Sequence, residues 1–227
     1  MKTRQLKMKP VLAALCAGLL LAPCLAGEHD FDTLFEDEED TRDVNEGGLV
    51  FLTSPPDGAV HAHATRITLT ENALHTGWAG HYQCHRDIDQ VSAAQIVYNT
   101  ERIRNLAVAE VTGVGRAWVD GPSVQLADVG EAASVCITAE SQVVRPLAGG
   151  GFVVRNGPFM RRFLDGYYPM HVTLDIRLPP GDWVLERSVP ALQPGFSVTR
   201  SHDGILADAW FEGRLETEFY FTAADSL

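Results

Sequence analysis

The chain predicts an all-β fold, an antiparallel β-sandwich of the immunoglobulin-like or jelly-roll-like kind, and three observations lead there. Across residues 47–223, short runs rich in Val, Ile, Thr and aromatic residues alternate with clusters of Gly, Pro, Asn and Asp. After the N-terminal segment, no apolar pattern of helical period is sustained over about 12 residues. Strands that follow one another without helices between them exclude a parallel α/β sheet.

The first strand predicted is residues 49–52, closed by the turn signal Pro55-Pro56-Asp57-Gly58. Residues 60–70 alternate, with Ile67 and Leu69 on one face and Arg66, Thr68 and Thr70 on the other. Further strands are predicted at 74–86, 93–99, 103–111, 114–119, 123–128, 133–144 and 151–155. The C-terminal part adds 170–178, 183–189, 196–202, 205–212 and 214–222. Val172, Leu174, Ile176 and Leu178 form the cleanest inward row. Asp120-Gly121, Asn156-Gly157 and Asp203-Gly204 fit tight turns. The run from Pro146 to Gly151 reads as a hairpin loop inside one domain of residues 47–223. Its alternative is a boundary between two small tandem sandwiches.

The N-terminus predicts export. Lys2, Arg4, Lys7 and Lys9 precede an apolar run from Val11 to Leu21, and Pro23-Cys24-Leu25-Ala26 leads to Gly27, which together spell a signal peptide over residues 1–26. That run is too short to rest across about 30 Å of hydrocarbon, so no transmembrane span is expected. A periplasmic or secreted protein follows, with a lipid anchor at Cys24 as an alternative weakened by Pro23. Without residues 1–26 the chain has 14 basic and 30 acidic residues, a net charge of −16, and no lysine. Such a surface is a poor match for nucleic acid or anionic lipid. Residues 27–46 form an acidic segment whose charges repel one another; ten acids face one arginine between Glu28 and Glu46. Phe31, Leu34 and Phe35 give it one apolar face at helical spacing, suited to a partner's groove.

Export leaves Cys84 and Cys136 as the expected disulfide. Strand parity complicates the pairing. Trp78, Tyr82 and Cys84 share a face that reads as core, which sends His81, Gln83 and His85 outward, while Val135 and Ile137 put Cys136 on an outer face. The bond then calls for a bulge or a covered outer face.

The histidines are the first candidate for a site. His61, His63, His81 and His85 are spaced two and four apart on two successive predicted strands, and imidazoles so clustered in an exported protein suit copper or zinc. They match no compact zinc signature, and the competing expectation is rim and surface residues without metal. His81-Tyr82-Gln83-Cys84-His85 lacks the first cysteine of a haem attachment motif. A hydrolase is the weakest alternative: Ser201, His202 and Asp203 are adjacent and cannot converge as a triad, and no G-x-S-x-G is present.

The second candidate is residues 156–169, where aromatics, Met160 and the pair Arg161-Arg162 crowd between two strands. These types are enriched at protein interfaces. Phe159, Met160, Arg161, Arg162, Tyr167 and Tyr168 are therefore the expected contact residues, and a crossover with one helical turn over 159–164 is the competing structural expectation. The function these features favour is a non-enzymatic exported β-sandwich that binds another envelope or periplasmic protein, with no resident cofactor. A periplasmic copper- or zinc-binding protein is the runner-up.

Overall fold

The computed structural model describes residues 45–148 and 150–224. The signal-like segment, Cys24 and the Phe31–Phe35 stretch lie outside the described residues. In chain order the elements are β1 (Val50–Phe51), β2 (Ala62–Thr68), α1 (Glu71–Thr76), β3 (Trp78–Ile88), β4 (Val91–Val97), β5 (Ile103–Asp120), β6 (Ser123–Gln142), β7 (Val144–Pro146) and β8 (Phe152–Phe159). There follow β9 (Arg161–Arg162), β10 (Tyr167–Tyr168), β11 (Met170–Arg177), β12 (Trp183–Val189), β13 (Phe196–Ser201), β14 (Gly204–Glu212) and β15 (Leu215–Ala223). No described helix is long and apolar enough to cross a membrane.

Two sheets make the all-β sandwich, and a short ribbon, β9 with β10, stands apart from them. The larger sheet runs β1-β14-β11-β2-β3-β6-β4, with β13 also on β14 and β5 also on β6; the smaller runs β12-β15-β8-β7. All pairings are antiparallel except β2 with β11, which is parallel. The predicted inward row holds for Val172, Leu174 and Ile176, all buried, facing Phe152, Val154, Phe219 and Phe221 of the smaller sheet in one apolar cluster. Four fully buried phenylalanines, Phe152, Phe211, Phe219 and Phe221, anchor this core, each contributing roughly 2–3 kcal/mol by removal from water. The cluster draws on residues both before residue 147 and after residue 150.

Several boundaries differ from the sequence expectation, each for a local reason. Residues 71–76 are helical, so the strand expected from residue 74 starts only at Trp78: the Thr70 side chain accepts from the Ala73 N–H, and Gly77 closes the helix in the left-handed region at φ 82°. The expected strands at 103–111 and 114–119 are one strand, β5, and those at 123–128 and 133–144 fuse into β6. Register shifts let them continue. Asp87, Asn105, Asp128 and Ala132 have φ between 50° and 55°, at or beside irregular points of the β3, β5 and β6 ladders. Bulges of this kind bend a strand and raise its twist, and beneath this end a second apolar cluster collects Ile88, Val124, Leu126, Val129 and Val135.

Asn156-Gly157 is not a turn; β8 runs on to Phe159. Gly157, at φ 100°, lies where a Cβ would come within 2.6 Å of the Leu215 carbonyl oxygen, so the bulge against β15 requires glycine. The helical turn expected over 159–164 is absent, replaced by the β9–β10 ribbon.

The parity of β3 is the reverse of that expected. Ala79, His81, Gln83 and His85 face inward, while Trp78 and Tyr82 lie half-buried on the outer face. Long side chains of β5 cover that face: the Arg104 guanidinium lies 4.2 Å from the Trp78 ring centroid, and the Tyr82 hydroxyl donates to Glu110 Oε1 at 3.3 Å. Aromatic residues therefore signalled a covered outer face, not the core. The reversal also removes the difficulty with the cystine. Cys84 and Cys136 are directly opposed on β3 and β6, on the same face, and are bonded.

Cross-linking residues 52 apart in sequence stabilises the fold by about 4 kcal/mol through loss of entropy in the unfolded chain. Reduction should lower the melting temperature by roughly 10 °C for a domain of this size, read by scanning calorimetry with and without reductant. An unchanged melt would contradict the bond's contribution.

Candidate functional site

Both sequence candidates meet at one cleft of about 570 Å³. Its lining includes His61 and His85 from the histidine group, Met160 to Leu164 from the aromatic–arginine segment, and residues 93–96 of β4. Successive residues of a strand point to opposite faces, so a cleft touching four in a row runs along the edge of β4 and not over one of its faces. Ile88, Val91, Ala94, Ile96 and Leu126 make it apolar.

The ribbon forms the opposite wall. Arg162 pairs with Tyr167 and Arg161 with Tyr168 across it, the Phe163 N–H donates to the Gly166 carbonyl at 2.9 Å, and the Tyr167 N–H donates to the Asn45 carbonyl at 3.0 Å. Arg161 fastens the ribbon to the sheet. Its Nε donates to Asp89 Oδ2 at 2.9 Å, its Nη2 to the other oxygen of that carboxylate, and its Nη1 to the Pro169 carbonyl at 3.2 Å. A half-buried, bidentate arginine–carboxylate pair holds geometry far better than an exposed one. Met160 (39% exposed), Phe163 (36%) and Leu164 (109%) stand at the mouth. Arg162 is exposed there, 5.7 Å over the Tyr167 ring, and forms no ion pair among the described residues. Phe159, grouped with the contact residues from sequence, turns inward instead and packs edge-on against His63 at 4.9 Å.

Behind the cleft the histidines form a hydrogen-bonded chain. His63 and His85 are directly opposed on β2 and β3, with ring centroids 4.6 Å apart. His63, His81 and His85 are buried, contrary to the expectation of rim and surface residues, whereas His61 is half-buried. Gln83 sets the direction of the chain, with its carbonyl on His81 and its amide nitrogen on His85. Ser141 Oγ–H then donates to His81 Nδ1 at 3.2 Å, and His81 Nε2–H to Gln83 Oε1 at 2.7 Å. The Gln83 amide donates to His85 Nε2, and His85 Nδ1–H donates to His61 Nε2 at 2.8 Å. Every link is satisfied with all three imidazoles neutral, and the chain ends at His61, on the cleft wall.

Burial accounts for that neutrality. It lowers the His61 pKa to about 4, with Arg161 adding to the effect and Asp89 opposing it. His63 and His85 are pushed well below the ordinary value by burial first and by neighbouring histidines second. His81 is lowered too, again chiefly by burial.

As for metal chemistry, the nitrogen lone pairs of His85 and His61 that a cation would use accept hydrogen bonds within the chain. Among the described residues no group of three or more His, Cys, Asp or Glu side chains is arranged to hold a metal ion. Ser201, His202 and Asp203 are exposed at the turn between β13 and β14; Arg177 Nη1 holds Asp203 at 2.5 and 2.6 Å, and no hydrogen bond joins the three to one another. Sequence reasoning missed Gln83, Asp89, Ser141 and the β4 edge. Only Gln83, placed between two histidines of one parity, offered a local signal.

Because the folded state keeps these imidazoles neutral while the unfolded chain protonates them near pH 6.5, unfolding takes up protons below that pH. Stability is complete above about pH 6.5 and falls with pH toward about 4, with each such histidine adding up to about 1.4 kcal/mol per pH unit. Thermal melts between pH 7.5 and 5, above most carboxylate titration, should show this decline, and His61→Gln should reduce its slope. A flat profile would contradict the assignment.

No family model, curated protein or solved structure matches the chain.

Proposed function

We propose that this is an exported, non-enzymatic β-sandwich protein that binds another envelope or periplasmic protein through the cleft between β4 and the β9–β10 ribbon. One observation carries it: Met160, Phe163 and Leu164 stand exposed around the mouth of an apolar cleft, beside an arginine that makes no ion pair among the described residues. Exposed apolar residues clustered with arginine at a concave site are what a partner's side chains bury against. The Arg161–Asp89 pair holds this wall in place before binding, which lowers the ordering cost of association. Export is supported by the basic and apolar N-terminal sequence and by a cystine, which persists in oxidising compartments.

A photoreactive amino acid at position 164 of the full chain, expressed in its native host and irradiated, tests this. A discrete adduct with an envelope protein should form, and Arg162→Glu with Phe163→Ser should abolish it without changing the melting temperature by more than about 2 °C, since both positions are exposed. No adduct, or the same adduct from the double variant, would overturn the proposal.

A further inference from the structure

Resting on the reading of the cleft as a protein-binding site, we infer that the partner enters it as an extended segment, adding a strand beside β4 and placing a carboxylate on Arg162. β3 and β4 lie end to end along the same side of β6: β3 pairs with residues 133–142 of it and β4 with residues 123–129. The next position out is filled beside β3 by β2, which ends at Ala62 opposite Arg86. Beside β4 that position carries no strand among the described residues, because β4 pairs with β6 alone. The sheet is one strand short, and the shortfall is the cleft.

Three features of the edge suit a strand. Residues 93–96 line the cleft consecutively, so its wall includes backbone as well as side chains. An unpaired edge offers N–H and C=O groups in a row, the template used whenever an extended peptide joins a sheet. β4 carries no proline and no charged side chain, Val-Ser-Ala-Ala-Gln-Ile-Val, so it lacks the two side-chain devices by which edges repel added strands.

The chemistry of the occupant follows from the walls. An added strand sends alternate side chains to opposite faces, and Ile96, Leu126, Met160 and Phe163 call for apolar residues at every second position. Arg161 is neutralised by Asp89, whereas Arg162 is not paired among the described residues of a strongly acidic chain. A carboxylate on the incoming segment meets it by charge complementarity.

The probe is a fluorescein-labelled nonapeptide of alternating Val and Thr with a central Phe and a C-terminal Asp, titrated into the full chain by anisotropy. Its twin is N-methylated at every second residue, which keeps the side chains and removes the hydrogen bonds along one edge. The peptide should bind saturably, the twin at least about tenfold more weakly, and Arg162→Glu should weaken the peptide at least about fivefold. Amide exchange in β4 should slow on binding. Equal binding of the twin, unchanged β4 exchange, displacement by decanoate alone, or no saturation up to about 1 mM would each overturn strand addition. A cross-link at position 164 would still stand in those cases, so the failure of this inference is separable from failure of the protein-binding proposal.

Discussion

The hydrogen-bonded chain from Ser141 through His81, Gln83 and His85 to His61 is the constraint on which the cleft end of this molecule depends. It lies on the inner face of the larger sheet and joins β6 and β3 to His61, the residue just before β2. Apolar residues flank it: Ile67 on β2 and Val135 and Ile137 on β6. A buried polar group without a partner is costly, whereas a fully satisfied network fixes a unique arrangement. Slipping β3 by one residue would send all of its imidazoles outward and strand Ser141. The register that this chain enforces is the one that opposes Cys84 to Cys136 on the other face, so the covalent and the polar cross-links agree.

Two neighbouring features turn that register into a site. Beyond the chain's end at His61, β2 stops, and β4 continues along β6 without an outer neighbour. The bulges around Asp87, Asp128 and Ala132 bend this end of the sheet over its own small apolar cluster. Arg161, bound to Asp89, then brings the ribbon across to make a second wall. The cleft is therefore a consequence of where one strand ends and one ion pair forms.

Much of this was legible in the sequence, and what was not has identifiable causes. Strand existence followed from residue type and turn punctuation, and the row Val172, Leu174, Ile176 could be assigned because its opposite positions are polar. β3 misled because its outer face is covered: Trp78 under Arg104 and Tyr82 beside Glu110 mimic core residues, while the true inner face carries imidazoles and an amide that read as exposed. β5 and β6 each read as two strands because the stretches at Gly113 and at residues 129–132 look like turns locally and are bulges only in the presence of a partner strand. Asn156-Gly157 failed for the same reason. At the site, the histidines and the Met160–Arg162 segment were each visible, but their convergence depends on Asp89 and on an unpaired strand edge, which exist only in three dimensions.

Nitrogen-15 NMR of the histidine rings near pH 7 tests the directional chain most directly, because shifts and one-bond couplings report which nitrogen carries the proton. A neutral, one-way chain predicts His81 protonated at Nε2, His85 protonated at Nδ1, and His61 unprotonated at Nε2. An imidazolium among them, or the opposite tautomer at His85, would contradict it.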